Sequence, residues 1–150
     1  MDYINGLRKH IGNQPILMVG STVLVLDTQN RLLMMKRSDG GNWGVPGGAM
    51  ELGETTEETA RRELLEETGL EVDELSLFGV FSGKELYYRY PSDEEVYNVS
   101  IVYLTRVIHG TIKLFDGEHS DFQYFELTKL PENISPPILP ILRKLMETHI

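Results

Sequence analysis

The segment from Gly44 to Val72 contains eight Glu and two Arg, and a glycine pair stands near its head. Thr55 followed by Glu58 has the spacing of a capping box, and the run after it has helical periodicity up to Gly69, a residue that commonly ends helices. The pattern therefore predicts one helix that carries much of the acidic cluster. Because like charges one turn apart repel each other, this helix must either expose its carboxylates to water or bring them to a cation.

The predicted helix has an acidic side and an apolar side. At about 100° per residue, Glu63, Glu66 and Glu67 fall within a sector of about 100°. Another sector holds residues that can pack on a sheet, namely Ala60, Leu64, Leu65 and Thr68. A solvated helix face is the ordinary explanation for three Glu, since Glu is a good helix former and is usually exposed. Periodicity alone leaves a solvated face and a functional acidic edge both open.

Apolar runs of strand length surround this helix. Residues 16–27 (ILMVGSTVLVLD) and 31–37 (RLLMMKR) are joined by the short TQN, which predicts a β-hairpin, and residues 38–48 (SDGGNWGVPGG) predict a loop. The remaining predicted strands lie in residues 75–83, 85–90 and 96–108. Residues 135–149 open with prolines and continue as an amphipathic helix. This order predicts an α/β fold in which two helices cover a mixed sheet as a layered sandwich.

Length and composition restrict the classes of protein that fit this chain. The 150 residues, 41% of them hydrophobic, suffice for one buried core, so a single domain over residues 1–150 is expected. The absence of Cys excludes a disulfide scaffold, a thiolate metal site and a cysteine nucleophile. No apolar run approaches the ~20 residues of a membrane span and no signal-peptide pattern is visible, so a cytoplasmic location is expected. The net charge of −9 argues against binding to a nucleic acid polymer or an anionic membrane, and an anionic substrate would need a cation.

The spacing of the charged residues is more specific than their number. From Gly48 the chain reads Gly, five residues, Glu54, seven residues, Arg62-Glu63-Leu64, one residue, Glu66-Glu67, one residue, Gly69-Leu70. This spacing resembles the Nudix box without a departure, and the chain is similar to Nudix hydrolases of the MutT-like kind. The resemblance implies a Nudix-type α/β/α sandwich with a mixed β-sheet. It also implies hydrolysis of the pyrophosphate linkage of a nucleoside diphosphate linked to another moiety, with a divalent metal held by the box glutamates.

The acidic edge suits a hard divalent cation such as Mg²⁺ or Mn²⁺, which prefers oxygen ligands. Such a cation would relieve the repulsion among the carboxylates, neutralise pyrophosphate oxygens and lower the pKa of a bound water. Carried over by position, the resemblance implies that Glu63 and Glu67 are metal ligands and that Glu66 is a metal ligand or the catalytic base. It also implies that the Gly48 carbonyl is a further ligand.

Other box residues are expected to support the catalytic site. The resemblance implies an ion pair between Arg62 and Glu54 that fixes the loop before the helix and so positions the metal ligands. Gly47 and Gly48 allow the backbone to bend and to approach a phosphate closely, which makes Gly47 a candidate substrate contact.

One candidate catalytic residue lies outside the box. Members of the family often draw another Glu from a later loop, and Glu118 stands in such a loop, just before a predicted short strand. The resemblance makes Glu118 a candidate metal ligand or base, with Asp116 and Asp121 as the neighbours that could replace it. A solvated loop carboxylate is the competing explanation.

Further candidates concern substrate binding. Lys36 and Arg37 end a strand that faces the glycine-rich loop and could clasp phosphates, although a solvated strand end explains them equally well. Trp43 could stack on a base or could anchor the loop by packing. The four histidines lack metal-ligand spacing and are expected to be surface or packing residues: His10, His109, His119 and His149.

The sequence does not determine which compound is cleaved. A nucleotide, a nucleotide sugar, ADP-ribose and a dinucleoside polyphosphate all stay open, because relatives select substrates with segments outside the box. Tyr87 and Tyr88 occupy the zone where some relatives that cleave dinucleoside polyphosphates carry a Tyr, but they also fit an aromatic-rich strand. The alternative of a different class is a noncatalytic nucleotide-binding regulatory module on the same fold, against which the complete set of box glutamates argues. A homodimer is compatible with the sequence, which does not determine the oligomeric state.

Overall fold

The structure is a computed structural model that describes residues 2–106, 108–114 and 117–149. Its helices are α1 (Tyr3–Ile11), α2 (Thr56–Thr68) and α3 (Leu139–His149). Its strands are β1 (Ile16–Val25), β2 (Arg31–Arg37), β3 (Trp43–Gly44), β4 (Gly47–Ala49), β5 (Glu71–Val72), β6 (Ser76–Phe81), β7 (Tyr87–Arg89), β8 (Glu95–Thr105), β9 (Ile108–His109) and β10 (His119–Glu126). Within the described ranges, no helix combines the length and the apolar character needed to cross a lipid bilayer.

In the described part of the chain, the strands form one mixed sheet and two antiparallel sheets. The largest sheet has five strands, in the order β4-β1-β8-β6 with β7 also paired to β8. β1 and β8 run parallel, from Ile16 opposite Val96 to Val25 opposite Thr105, and the other pairings in this sheet are antiparallel. The second sheet has the order β10-β2-β3, and the third pairs β5 with β9. The predicted α/β class and mixed sheet are confirmed.

Alternate residues of the central strands face two separate hydrophobic cores. Leu24 of β1 and Leu26, which follows the strand, face a core on the α3 side, whereas Val23 and Val25 face a core on the α2 side. The α3 core also contains Leu32, Met34, Val102, Leu127, Ile141, Leu142 and Leu145. The α2 core also contains Leu33, Ala60, Leu64, Leu70, Val72 and Tyr103. Because helices cover both faces, the central strands have continuous apolar runs, and the predicted layered sandwich is confirmed.

The hairpin predicted from residues 16–37 is present only at its turn. The Asp27 amide donates to the Arg31 carbonyl at 3.0 Å, and Leu26 pairs with Leu32. Beyond that point β1 joins β4 and β8, while β2 joins β3 and β10 in another sheet. A turn fixes the pairing of the residues beside it, whereas a strand that is apolar on both faces takes its partners from distant parts of the chain.

The sequence pattern does not predict the N-terminal helix α1. Asp2 caps this helix, and distant contacts hold it in place. The Arg8 guanidinium donates to the Glu95 carbonyl at 2.6 Å, and the Tyr3 amide donates to the Glu51 carboxylate at 2.9 Å. The second contact places the start of α1 beside the loop that leads into α2.

The predicted loop of residues 38–48 contains β3 and the start of β4. β4 pairs antiparallel with β1, with Gly47 opposite Thr22 and Ala49 opposite Gly20. Glycine permits this close approach, because a Cβ on Gly47 would lie 2.5 Å from the Ser21 carbonyl oxygen. The pairing fixes the glycine pair to the central sheet, next to the acidic helix.

Candidate active site

Helix α2 begins and ends as the sequence predicts. The Thr55 hydroxyl accepts a hydrogen bond from the Glu58 amide at 3.1 Å, and the Glu58 carboxylate accepts one from the Thr55 amide at 2.8 Å. Gly69, with a φ of 77°, ends the helix. The predicted packing of Leu65 is wrong, because Leu65 is 45% exposed whereas Glu67 is 6% exposed. The helix therefore turns a carboxylate, rather than this leucine, towards the sheet.

An ion pair joins the middle of α2 to the loop before it. Arg62 donates from Nε and Nη2 to the two carboxylate oxygens of Glu54 at 2.6 and 3.0 Å, and from Nη2 to the Ala49 carbonyl at 3.0 Å. Glu54 also accepts from the Glu51 amide at 2.8 Å and the Thr59 hydroxyl at 2.9 Å. The Arg62 hydrogen bond is the main cause that lowers the pKa of Glu54 to about 2. The pair that the sequence predicts is present, and it ties the end of β4 to α2.

Glu63 is a largely buried carboxyl group that lies against the glycine pair. Its side chain is 15% exposed, and burial raises the pKa of its carboxyl to about 7 despite a hydrogen bond from Arg62 at 2.9 Å. A Cβ on Gly48 would lie only 2.6 Å from Glu63 Oε1. The missing side chain at Gly48 therefore makes room for the carboxyl beside the backbone. Closely spaced hard oxygens of this kind fit a divalent cation, which binds the deprotonated carboxylate.

Glu67 and Glu66 lie at different depths. The buried Glu67 carboxylate accepts a hydrogen bond from the Gly47 amide at 2.9 Å, which fixes its orientation. Glu66 is 57% exposed and accepts a longer hydrogen bond from Arg62 at 3.3 Å. Together with Glu63, these carboxylates line one groove with a volume of about 700 Å³. The three predicted ligands are thus brought to one cavity.

Strand β10 starts at the same groove. Glu118, immediately before His119, lines the groove, and Asp121 lies farther along the strand. One carboxylate oxygen each from Glu67 and Glu118 and a ring nitrogen of His119 lie within 4.8 Å of one another. Asp116, the other alternative to Glu118, lies outside the described residues.

His119 is the residue of this group that sequence reasoning missed. Spacing along the chain offers no signal for it, because its neighbour Glu67 is more than fifty residues away in sequence. The antiparallel pairing of β10 with β2, which sets His119 opposite Arg37, brings it to the site. This pairing is a tertiary feature that a local pattern does not reveal.

A second pocket, of about 160 Å³, adjoins the acidic groove. The two cavities share six lining residues, namely Met18, Arg37, Gly47, Gly48, Glu67 and Tyr90. The rest of the smaller pocket is lined largely by aromatic, apolar and small polar side chains, including Tyr88, Asn98, Ser100, Ser135, Pro137 and Ile138, together with the imidazole of His119. An acidic groove beside a pocket with an aromatic and hydroxyl lining suits a ligand that has a charged part and a ring system.

Arg37 lies where the two cavities meet, and Lys36 does not line either of them. Asp39 accepts two hydrogen bonds from the Arg37 guanidinium, at 2.6 and 3.1 Å, and the guanidinium carbon lies 5.9 Å from the centre of the Tyr90 ring. The Asp39 hydrogen bond raises the pKa of Arg37, so the group stays positively charged. Lys36 precedes Arg37 on β2, and successive side chains of a strand point to opposite faces.

Trp43 and Tyr87 lie away from the two cavities. The Trp43 ring packs edge to face on Phe125, with 5.1 Å between ring centres, and contacts the α3 core. The packing explanation for Trp43 is therefore the one that the geometry favours. Of the two candidate tyrosines, Tyr88 lines the smaller pocket, whereas Tyr87 packs on Tyr97 with 5.2 Å between ring centres.

Comparison with known proteins gives matches over most of the chain. Residues 17–145 match the model of the NUDIX domain. The chain is 35% identical over 111 residues to the ADP-ribose pyrophosphatase of Methanocaldococcus jannaschii, covering 72% of this chain and 62% of that protein. It is 39% identical over 111 residues to the oxidized purine nucleoside triphosphate hydrolase of Mus musculus, covering 73% of this chain and 66% of that protein. The chain thus spans slightly less than two thirds of the length of each of these relatives.

Solved structures show the same fold. The MutT NUDIX hydrolase from Burkholderia pseudomallei superposes with a TM-score of 0.74 at 26% identity, covering 88% of this chain and 98% of that one. The MutT protein from Methanosarcina mazei Go1 superposes with the same TM-score at 21% identity, which is a likeness of fold alone. The family match extends over nearly all of the described structure and includes the acidic helix with its glycine pair, so this chain belongs to the NUDIX domain family.

Proposed function

We propose that this chain is a metal-dependent hydrolase that cleaves the pyrophosphate linkage of a nucleoside diphosphate linked to another moiety. The observation that carries the proposal is the convergence of Glu63, Glu66 and Glu67 in one groove beside an aromatic-lined pocket. The names of the relatives support the same class of reaction, since one is a pyrophosphatase and the other a nucleoside triphosphate hydrolase.

The residues of the groove fit a divalent cation. We assign Glu63, Glu66, Glu67 and the Gly48 carbonyl as its ligands, and we propose Mg²⁺ or Mn²⁺ because the donors are hard oxygens. When bound, such a cation neutralises pyrophosphate oxygens and lowers the pKa of a coordinated water. The chain has a net charge of −9, so an anionic substrate that enters the acidic groove is repelled. A bound cation would reduce this repulsion.

The protein's own side chains would move the proton and orient the substrate. Glu118 lines the groove close to Glu67, and we assign it as the base that accepts a proton from the attacking water, with Glu66 as the alternative base. Arg37 lies at the junction of the cavities with its guanidinium fixed by Asp39, so it can bind the phosphate that joins the nucleoside to the rest of the substrate. The nucleoside then occupies the smaller pocket.

Two further pairs have indirect roles in this proposal. Arg62 and Glu54 hold the loop before α2, which keeps the ligands on the helix aligned with the glycine pair. Gly47 and Gly48 let the backbone lie close to the carboxylates and to a phosphate. Lys36 and Trp43 are left out of the proposed substrate contacts because neither lines the described cavities.

The proposed function also concerns domain organisation, substrate size, location and oligomeric state. We propose a single Nudix domain over residues 1–150 that acts on a small nucleotide rather than on a nucleic acid polymer, in the cytoplasm. We also propose a homodimer, which analytical ultracentrifugation tests directly. A sedimentation coefficient that stays at the monomer value over a wide concentration range would contradict the dimer.

A product-resolved hydrolysis panel tests the proposed reaction. Nucleoside triphosphates, oxidised nucleotides, nucleotide sugars, ADP-ribose and dinucleoside polyphosphates are incubated with Mg²⁺ or Mn²⁺, and the products are identified by mass spectrometry. We expect cleavage of a phosphoanhydride bond in at least one class, loss of turnover in EDTA, and loss of both turnover and metal affinity in Glu67→Gln. Glu57→Gln is the matched control, since Glu57 is an exposed residue on the same helix. Turnover that survives exhaustive chelation would refute the proposal, and nucleotide binding without any product would favour the regulatory module.

A further inference from the structure

The group formed by Glu67, Glu118 and His119 contains a nitrogen donor beside the carboxylates of the acidic groove. His119 itself lines the adjoining smaller pocket, which Glu67 also lines. Glu67 comes from α2, whereas Glu118 and His119 come from the start of β10. Their ligand atoms, two carboxylate oxygens and one imidazole nitrogen, lie within 4.8 Å of one another. Segments that are distant in sequence thus bring three potential metal donors together.

The geometry of this group suits one ion. Bonds from a metal to imidazole nitrogen or carboxylate oxygen are near 2.1 Å, so donor atoms up to about 4.2 Å apart can share one ion. Glu67 is buried and oriented by the Gly47 amide, which makes it the fixed point of the group. Glu118 is exposed and keeps its proposed role as the base, so the ion takes Glu67 and His119 from this group.

The surroundings of His119 also favour a cation. His119 lies opposite Arg37 on the neighbouring strand, and Asp39 accepts two hydrogen bonds from the Arg37 guanidinium. The Asp39 carboxylate therefore offsets the positive charge of Arg37. The remaining neighbours in the group, Glu67 and Glu118, are both carboxylates.

We propose that His119 is a metal ligand and that it makes this centre bind Mn²⁺ more tightly than Mg²⁺. Imidazole suits transition metals, whereas Mg²⁺ takes oxygen ligands and keeps several waters. The inference rests on the proposed function only in assuming that Glu67 binds a metal, and it adds a ligand that is absent from the box. The side chain of His119 on β10 would then determine the preference of the site for Mn²⁺ over Mg²⁺.

Metal binding without nucleotide tests this inference. The electron paramagnetic resonance signal of free Mn²⁺ is titrated with the wild-type chain of residues 1–150, and Mg²⁺ affinity is obtained by competition against bound Mn²⁺. Because one nitrogen ligand is lost, His119→Gln should weaken Mn²⁺ binding by on the order of tenfold and leave Mg²⁺ binding within about twofold. His10→Gln, a change at an exposed histidine of α1, is the matched control and should alter neither affinity. Unchanged Mn²⁺ affinity in His119→Gln, or an equal loss for both cations, overturns the proposal.

A second measurement keeps the test valid if His119→Gln does not fold. In the wild-type protein with bound Mn²⁺, pulsed electron paramagnetic resonance should show the ¹⁴N coupling of a directly coordinated imidazole nitrogen. Absence of this coupling contradicts ligation by His119. Both experiments are independent of hydrolysis, so an inactive protein that shows the expected Mn²⁺ binding would refute the proposed reaction and retain the metal site.

Discussion

Replacement of Arg62 by Ala is expected to destabilise the metal-free protein. Arg62 is 28% exposed and Glu54 is 18% exposed, so the pair is screened by solvent only in part. The change leaves the Glu54 carboxylate with its hydrogen bonds from Glu51 and Thr59 but without its cation. An unpaired carboxylate in a poorly solvated position lowers the free energy of unfolding. Removing one partner of such a pair therefore destabilises the protein more than removing both.

The pKa of Glu54 sets the size of the expected effect. The carboxyl has an ordinary pKa of 4.5, which is lowered to about 2 mainly by the Arg62 hydrogen bond. At 1.36 kcal/mol per pKa unit, and with a reduction for partial exposure, the stabilisation is about 2–3 kcal/mol. For a chain of this length, that free energy corresponds to a fall in melting temperature of about 5–10 °C.

The pH dependence has a definite sign. Because the pKa of Glu54 is lowered on folding, its contribution to stability is present above pH 4.5 and is lost as the pH falls towards 2. The difference in unfolding free energy between wild type and Arg62→Ala should therefore be largest near neutral pH and should shrink in acid.

Thermal melting in EDTA, followed by circular dichroism at several pH values, measures this difference. Arg89→Ala is the control, since it removes the arginine of an exposed pair with Asp93 and should leave the melting temperature close to that of wild type. The double variant Arg62→Ala/Glu54→Gln should regain part of the loss, because no unpaired carboxylate remains. A melting temperature for Arg62→Ala within about 1 °C of wild type, or a double variant no more stable than the single one, would refute this account of the pair.

Three further perturbations have expected outcomes. Glu118→Gln should slow hydrolysis by about 10²-fold with an unchanged melting temperature. A wild-type rate would show that Glu118 is a solvated loop residue without a catalytic role. Gly48→Ala should abolish turnover and weaken Mg²⁺ binding in calorimetric titrations, because its Cβ would lie 2.6 Å from Glu63 Oε1. Normal metal affinity would contradict the role of Gly48 in making room for the Glu63 carboxyl. Burial raises the pKa of Glu63 to about 7, so its contribution to the stability of the metal-free protein is present below pH 4.5 and lost as the pH rises through 7. In EDTA, the melting temperature of wild type should fall relative to that of Glu63→Gln as the pH rises from 5 to 8. A constant difference between the two melting temperatures would contradict a raised pKa for Glu63.

Local spacing determined much of the candidate site. Thr55 and Glu58 at one end and Gly69 at the other fix helix α2, because caps and the αL residue act within a few residues of the helix ends. Once that helix forms, its periodicity alone places Glu63 and Glu67 near each other. The spacing of the box is also recognisable from the sequence alone, since one helix and the residues directly beside it in the chain contain all of the box.

The tertiary structure decided how the site is buried and completed. Packing on the sheet turned Glu67 inward and left Leu65 exposed, although both belong to the same helix. Strand pairing separated β1 from β2 and set β10 beside β2, which brought Glu118 and His119 to Glu67. A helix is specified by bonds between residues three and four apart, whereas strand partners and buried faces depend on segments far along the chain, and the sequence pattern near His119 contains no information about them.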